Sequence, residues 1–191
     1  MTVCIFAASS SRIDSEYGVV AARLGTLLAV EGIDVVFGGG GIGLMGKLAD
    51  AVLENGGRIT GVLPAFMKEE GWGHERLTEM IITTDMSERK KKMFSLADAV
   101  VALPGGVGTL EEMTEAITLK QLSLFSGPVI ILNTLGYYNA LLRFIDHMIS
   151  SNFMRFEHKG IWEVVDSAEE VLSALRRKEN MSGEWRKIAK I

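Results

Sequence analysis

The sequence predicts an α/β fold, a mostly parallel sheet covered by helices on both faces, and three observations carry that prediction. Short apolar runs alternate with segments of helical periodicity along the chain. Several runs, Ala99-Val100-Val101-Ala102-Leu103 among them, are continuously apolar, as expected of strands buried on both faces. Two glycine clusters each follow a strand directly, and open parallel sheets bind ligands beyond the C-terminal ends of their strands.

The elements follow in order. Val3 to Ala8 reads as the first strand, and Ser9-Ser10-Ser11 as a polar turn. Glu16 to Val30 has helical periodicity, with Val20, Leu24, Leu27 and Leu28 along one side, and Gly32 ends it. The strand Asp34 to Phe37 runs into Gly38-Gly39-Gly40-Gly41-Ile42-Gly43, then a helix from about Leu44 to Glu54. Arg58 to Leu63 is the third strand, and Pro64 to Thr78 reads as an irregular surface loop or lid. Met80 to Thr83 is a brief strand. Asp85 caps a helix reaching to about Ala97, with Glu88 completing a capping box. The strand Ala99 to Leu103, a glycine turn and a helix to about Leu124 come next. Pro128 to Leu132 and Ile161 to Val165 are strands, and Tyr138 to Ser150 and Ser167 to Arg177 are helices.

Composition narrows the function classes. The chain of 191 residues suits one domain, 1–177, followed by a short basic extension, 178–191. A net charge of −4 disfavours nucleic-acid binding. The basic residues crowd the end of the chain at Arg176, Arg177, Lys178, Arg186, Lys187 and Lys190, which reads as a solvated or interface helix. Cys4 is the only cysteine, so no disulfide framework and no multi-cysteine metal site is expected. His74, His147 and His158 are scattered and carry no metal spacing. Polar residues interrupt every apolar stretch before membrane length, and no basic segment precedes the first one, so a soluble cytoplasmic protein is expected.

The chemistry concentrates in Pro104-Gly105-Gly106-Val107-Gly108-Thr109-Leu110-Glu111-Glu112. Gly105, Gly106, Gly108 and Thr109 open a helix, whose free amides and dipole suit a phosphate. Glycines there permit positive φ and leave no side chain in the way. The competing reading is a tight turn in which Thr109 and Glu112 form an ordinary capping box. In the other cluster, Gly39, Gly40 and Gly43 allow close approach of a ligand or of a neighbouring helix, and Met45 joins them as a candidate substrate contact. A Walker motif would need a lysine and a hydroxyl residue after its glycines, and a dinucleotide fingerprint would follow the first strand, where this chain has serines.

Two kinds of charged residue stand out beside these turns. Arg89 shares a helix face with Met86 and Met93 and must meet an anion there, unless it snorkels at the helix edge. Lys90 is within reach of the same site. Glu112 and Glu115 lie one turn apart just past the cradle, where an acid would sit near the sugar of a nucleotide; Glu111 points elsewhere. Trp72, Phe66 and Met67 are candidates for a base pocket, a lid or a subunit contact.

Glu88-Arg89-Lys90, the strand after it, and the 104–112 segment together resemble the LOG family, the cytokinin riboside 5'-monophosphate phosphoribohydrolases, often labelled lysine decarboxylases. Gly38 to Gly46 is similar to that family's other segment, and the resemblance covers about Val3 to Val165. It implies a Rossmann-like three-layer α/β/α fold, a homodimer, and hydrolysis of a nucleoside 5'-monophosphate to free base and ribose 5-phosphate. It places the catalytic arginine on Arg89, the motif glutamate on Glu112 and the phosphate turn on Gly105, Gly106, Gly108 and Thr109. It calls for no cofactor and no metal. In this reading Glu112 stabilises charge at C1, Glu115 holds ribose hydroxyls, and Arg89 either anchors phosphate or assists the departing base. One departure is Ala8-Ser9-Ser10, where family members usually have Gly-Ser-Ser. The alternatives are an AMP-type nucleosidase and a non-catalytic carrier of a phosphorylated ligand or cofactor.

Overall fold

The computed structural model describes residues 1–177 and Trp185; the remainder of the expected basic extension lies outside the described residues. Seven strands form one parallel sheet: β1 (Thr2–Phe6), β2 (Asp34–Phe37), β3 (Ile59–Pro64), β4 (Glu79–Thr83), β5 (Ala99–Ala102), β6 (Val129–Leu132) and β7 (Trp162–Val165). Their spatial order is β4-β3-β2-β1-β5-β6-β7. The chain winds outward from β1 to β4, then returns to the other side of β1 through β5. A crevice therefore opens between the C-terminal ends of β1 and β5, where the winding reverses.

Strand side chains alternate between two cores. Val3 and Ile5 face one layer with α1 (Ser15–Val30), α2 (Gly43–Glu54) and α7 (Ala168–Arg176). Cys4 and Phe6 face the other with Met93 of α4 (Met86–Leu96) and Met113, Ala116 and Ile117 of α5 (Val107–Gln121). Tyr138, just before α6 (Asn139–Ser150), and Trp185 are buried in that second core. The central strands β5 and β6 are buried along their whole length, which explains their unbroken apolar sequences. The architecture is the expected three-layer α/β/α arrangement.

Two expectations change. The segment 64–78 is not wholly irregular: Pro64, with φ −63°, precedes a short helix, α3 (Ala65–Glu69). A helix of this length is too brief to show a period in sequence, while proline pre-sets its entry. The predicted capping box is half formed. Asp85 accepts from the Glu88 amide at 2.8 Å, but the Glu88 carboxylate turns outward to the Thr84 amide and hydroxyl, each at 2.7 Å. Among the described residues no helix is long and apolar enough to cross a membrane.

The tightest helix contact sits at Gly25, where α1 crosses α2. A Cβ there would lie 2.6 Å from the Leu48 carbonyl and 3.0 Å from the Ala51 side chain. Backbone cannot give way as a side-chain tip can, so Gly25→Ala is expected to destabilise the fold by about 1–3 kcal/mol despite alanine's better helix propensity. Urea unfolding checks this; an unchanged midpoint would refute the close crossing.

Candidate active site

The crevice predicted by the topology is a cleft of about 610 Å³. Its walls come from the ends of β1 to β3, both glycine clusters, and the first turns of α4 and α5. This volume suits a ligand of nucleotide size.

The second glycine turn forms one end. Gly106 precedes α5, so Val107, Gly108 and Thr109 supply the first helical amides. Among the described residues no protein group accepts from the amides of Gly105, Gly106, Val107, Gly108 or Thr109. Unpaired donors converging at a helix N-terminus form an anion cradle. None of these glycines has positive φ, contrary to expectation. Space is what they provide: a Cβ on Gly105 would overlap the Thr109 side chain, and Gly106 and Gly108 face open space. Thr109 lies inside α5 and caps nothing, so the capping-box reading of Thr109 and Glu112 is not realised.

The first glycine cluster behaves differently. Gly39 and Gly43 do have positive φ, +77° and +68°. The Ala8 carbonyl accepts from the Leu44 and Met45 amides at 2.9 and 3.3 Å, so the α2 N-terminus is already occupied by protein. A Cβ on Gly43 would lie 2.6–2.7 Å from the backbone of residues 8–10, so the close approach there is to the β1–α1 loop. Gly40 and Met45 line the cleft, and Gly40 bridges Gly73 in antiparallel fashion. That bridge draws Trp72 to the cleft, where it joins Met67, Met86, Leu63 and Ile42 in an apolar wall. Phe66 stays on the surface outside the cleft lining.

Between these walls lies a buried ion pair. Arg89 is 8% exposed and Glu112 is 7% exposed. Arg89 Nη1 lies 3.3 Å from Glu112 Oε1. The guanidinium also donates from Nε to the Val62 carbonyl at 3.0 Å and from Nη2 to the Gly38 carbonyl at 3.2 Å. These ties leave Arg89 as a fixed cation behind the carboxylate, not a snorkelling side chain. Burial pushes the Glu112 carboxyl up to about 7, against the opposing pull of Arg89. Glu112 and Thr109 are one turn apart on α5, so the carboxyl stands beside the free amides.

Lys90 and Glu115 form a separate cluster. The Lys90 ammonium pairs with Glu111 and, at 2.7 Å, with Glu115, and none of the three lines the cleft. Glu111 first and Glu115 second hold the ammonium pKa above its usual value. This cluster ties α4 to α5 next to the Arg89–Glu112 pair. The acceptors that fix Arg89, the carbonyls of Val62 and Gly38, were not predicted. Backbone acceptors leave no mark on residue type.

Comparison with known proteins identifies the family. The family described as possible lysine decarboxylase matches residues 45–175. The cytokinin riboside 5'-monophosphate phosphoribohydrolase LOG1 of Arabidopsis thaliana is 40% identical over 173 residues, covering 91% of this chain and 81% of the relative. LOG7 of the same plant is 40% identical over 177 residues, covering 93% and 82%. Among solved structures, the molybdenum cofactor carrier protein of Chlamydomonas reinhardtii superposes with TM-score 0.71 at 21% identity, covering 92% of this chain and 95% of that one, a likeness of fold. With the family model matched over residues 45–175 and relatives of 40% identity covered over about four fifths of their length, this chain belongs to the LOG family of phosphoribohydrolases, the group also described as possible lysine decarboxylases.

Proposed function

We propose that this protein hydrolyses the N-glycosidic bond of nucleoside 5'-monophosphates of the cytokinin type, releasing free base and ribose 5-phosphate. Its relatives at 40% identity are named for this reaction. The observation that carries the reading is one helix, α5, offering free amides in its first turn and a buried carboxyl, its pKa raised by burial, one turn later.

The 5'-phosphate sits on the amides of Gly106 to Thr109, which orients the ribose over Glu112. The base lies among Met45, Met67, Trp72 and Met86, an apolar wall suited to a prenylated adenine. As the bond from C1' to the base nitrogen lengthens, positive charge grows on the ribose, and the Glu112 carboxylate stabilises it. The water oxygen bonds to C1' and one water proton passes to Glu112. The electron pair of the broken bond leaves on the base nitrogen, which takes up a proton from solvent, and Glu112 then releases the water proton to solvent. Arg89 keeps Glu112 oriented and favours its ionised form. Gly105 supports the turn from behind, with Thr109 packed on it. Lys90 and Glu115 brace the helix pair and make no substrate contact in this reading, and Gly39 and Gly43 shape the opposite wall.

The reading includes a homodimer in the cytoplasm. Exposed Leu122, Leu124, Phe153 and Phe156 support an apolar contact surface, and a single buried cysteine suits a reducing compartment. Metal and cofactor are not called for by this chemistry.

Base release from a panel of 5'-monophosphates, including AMP and the isopentenyladenosine compound, tests the reaction. Preference for the prenylated nucleotide is expected; release from AMP alone would change the substrate class, and binding without release would refute the hydrolase. Because the reaction uses ionised Glu112, kcat should rise with pH along a limb near 7. The second ionisation of a phosphate ester, at about 6, would place a limb lower. The same carboxyl has a linked effect on folding. Its folded pKa lies above the usual value of 4.5, so its stabilising contribution is complete below about 4.5 and is lost as pH rises through about 7.

A further inference from the structure

The phosphate turn is held from behind. The carbonyls of Leu103, Pro104 and Gly105 each have a donor. The Tyr138 hydroxyl donates to the Leu103 carbonyl at 2.7 Å, the Ala8 amide to the Pro104 carbonyl at 3.2 Å, and the Tyr137 hydroxyl to the Gly105 carbonyl at 2.7 Å. In a trans peptide the carbonyl and the following amide point in opposite directions. Fixing the Gly105 carbonyl therefore fixes the direction of the Gly106 amide, one of the free donors of the cradle.

We propose that Tyr137 is a positioning residue for phosphate recognition, its hydroxyl setting the peptide plane that aims the Gly106 amide at the bound phosphate. This rests on the nucleotide reading above and adds a residue that does not itself line the cleft. The way Tyr137 is presented supports it. The connection from β6 passes through Leu135, with φ +54°, and Gly136, with φ +69°. A leucine in the left-handed region is strained, and such strain persists where surrounding structure demands the geometry. Asn133 completes the loop: its side-chain Oδ1 accepts from the Tyr138 backbone amide at 2.7 Å and its side-chain Nδ2 donates to Asn139 Oδ1 at 2.9 Å. The Tyr137 ring then packs edge-on against Tyr17 of α1 and against Tyr138, which steers its hydroxyl to Gly105.

Tyr137→Phe removes the hydroxyl alone. Tyr137 is 46% exposed and keeps both ring contacts, so the variant is expected to fold with an unchanged unfolding midpoint. A free peptide plane should weaken binding of AMP and ribose 5-phosphate roughly five- to tenfold, as loss of one oriented donor to an anion does. Adenosine, which has no phosphate, should bind wild type and variant alike in calorimetry. Equal loss for adenosine and AMP, or no loss for either, would overturn the positioning role. If wild-type protein binds neither AMP nor ribose 5-phosphate, the nucleotide reading itself fails, an outcome distinct from equal binding by the two proteins.

Discussion

Glu112→Gln is expected to lower kcat by about two to four orders of magnitude while changing KM little. The amide is isosteric with the carboxyl, so the phosphate cradle and the apolar wall keep their shape. What disappears is negative charge next to C1' and an acceptor for the water proton. Folding should survive the change. Burial holds the carboxyl largely protonated below about pH 7, where a neutral amide resembles it. Thermal unfolding at about pH 4.5 should therefore be nearly the same for both proteins, and a gap should open as pH rises from there to about 7, the wild type losing stability that Glu112→Gln keeps. A variant with kcat near wild type would remove Glu112 from the chemistry. A variant that fails to fold at about pH 4.5 would show that the carboxyl is structural.

Gly38→Ala is expected to do nearly as much damage from a position with no chemistry of its own. A Cβ on Gly38 would occupy the place of the Arg89 guanidinium. The guanidinium would have to leave, abandoning the Gly38 and Val62 carbonyls and the Glu112 carboxylate together. Breaking a buried ion pair while leaving its acceptors unpaired costs about 3 kcal/mol. The catalytic consequence is specific. Without its cation, the carboxyl is held neutral to still higher pH, so the limb of kcat should move above 7, with activity at neutral pH at least tenfold lower. Glu112→Gln abolishes the limb and Gly38→Ala displaces it, which a pH profile separates. A limb unmoved in Gly38→Ala would show that Arg89 does not tune Glu112.

Much of this molecule is legible in the order of its residues. The parallel sheet was readable because strands buried on both faces must be apolar throughout, as Ala99 to Ala102 and Val129 to Leu132 are. The helices were readable because one buried face repeats at helical spacing. The cradle was readable because a glycine turn between strand and helix leaves amides free, and Arg89 stood out because a cation on an apolar helix face must find a partner. These are relations among neighbours in the chain, and residue type records them.

The rest depends on segments distant in sequence. The two glycine clusters look alike on the page, yet the Ala8 carbonyl fills the amides of one and leaves those of the other open. Glu115 has the same spacing argument as Glu112, but Lys90 from α4 claims it, while Arg89 claims Glu112. The glycines at 105, 106 and 108 serve by their small size, and only the position of the Thr109 side chain and the open cleft reveal that. Tyr137 reads as an ordinary residue ahead of a helix until its hydroxyl is seen on Gly105. Local spacing says what a residue can do. Which of several equivalent donors, acids or glycines does it is decided when the sheet brings β1, α4 and α5 together, because hydrogen bonds and buried charges act over a few ångströms of space whatever their separation along the chain.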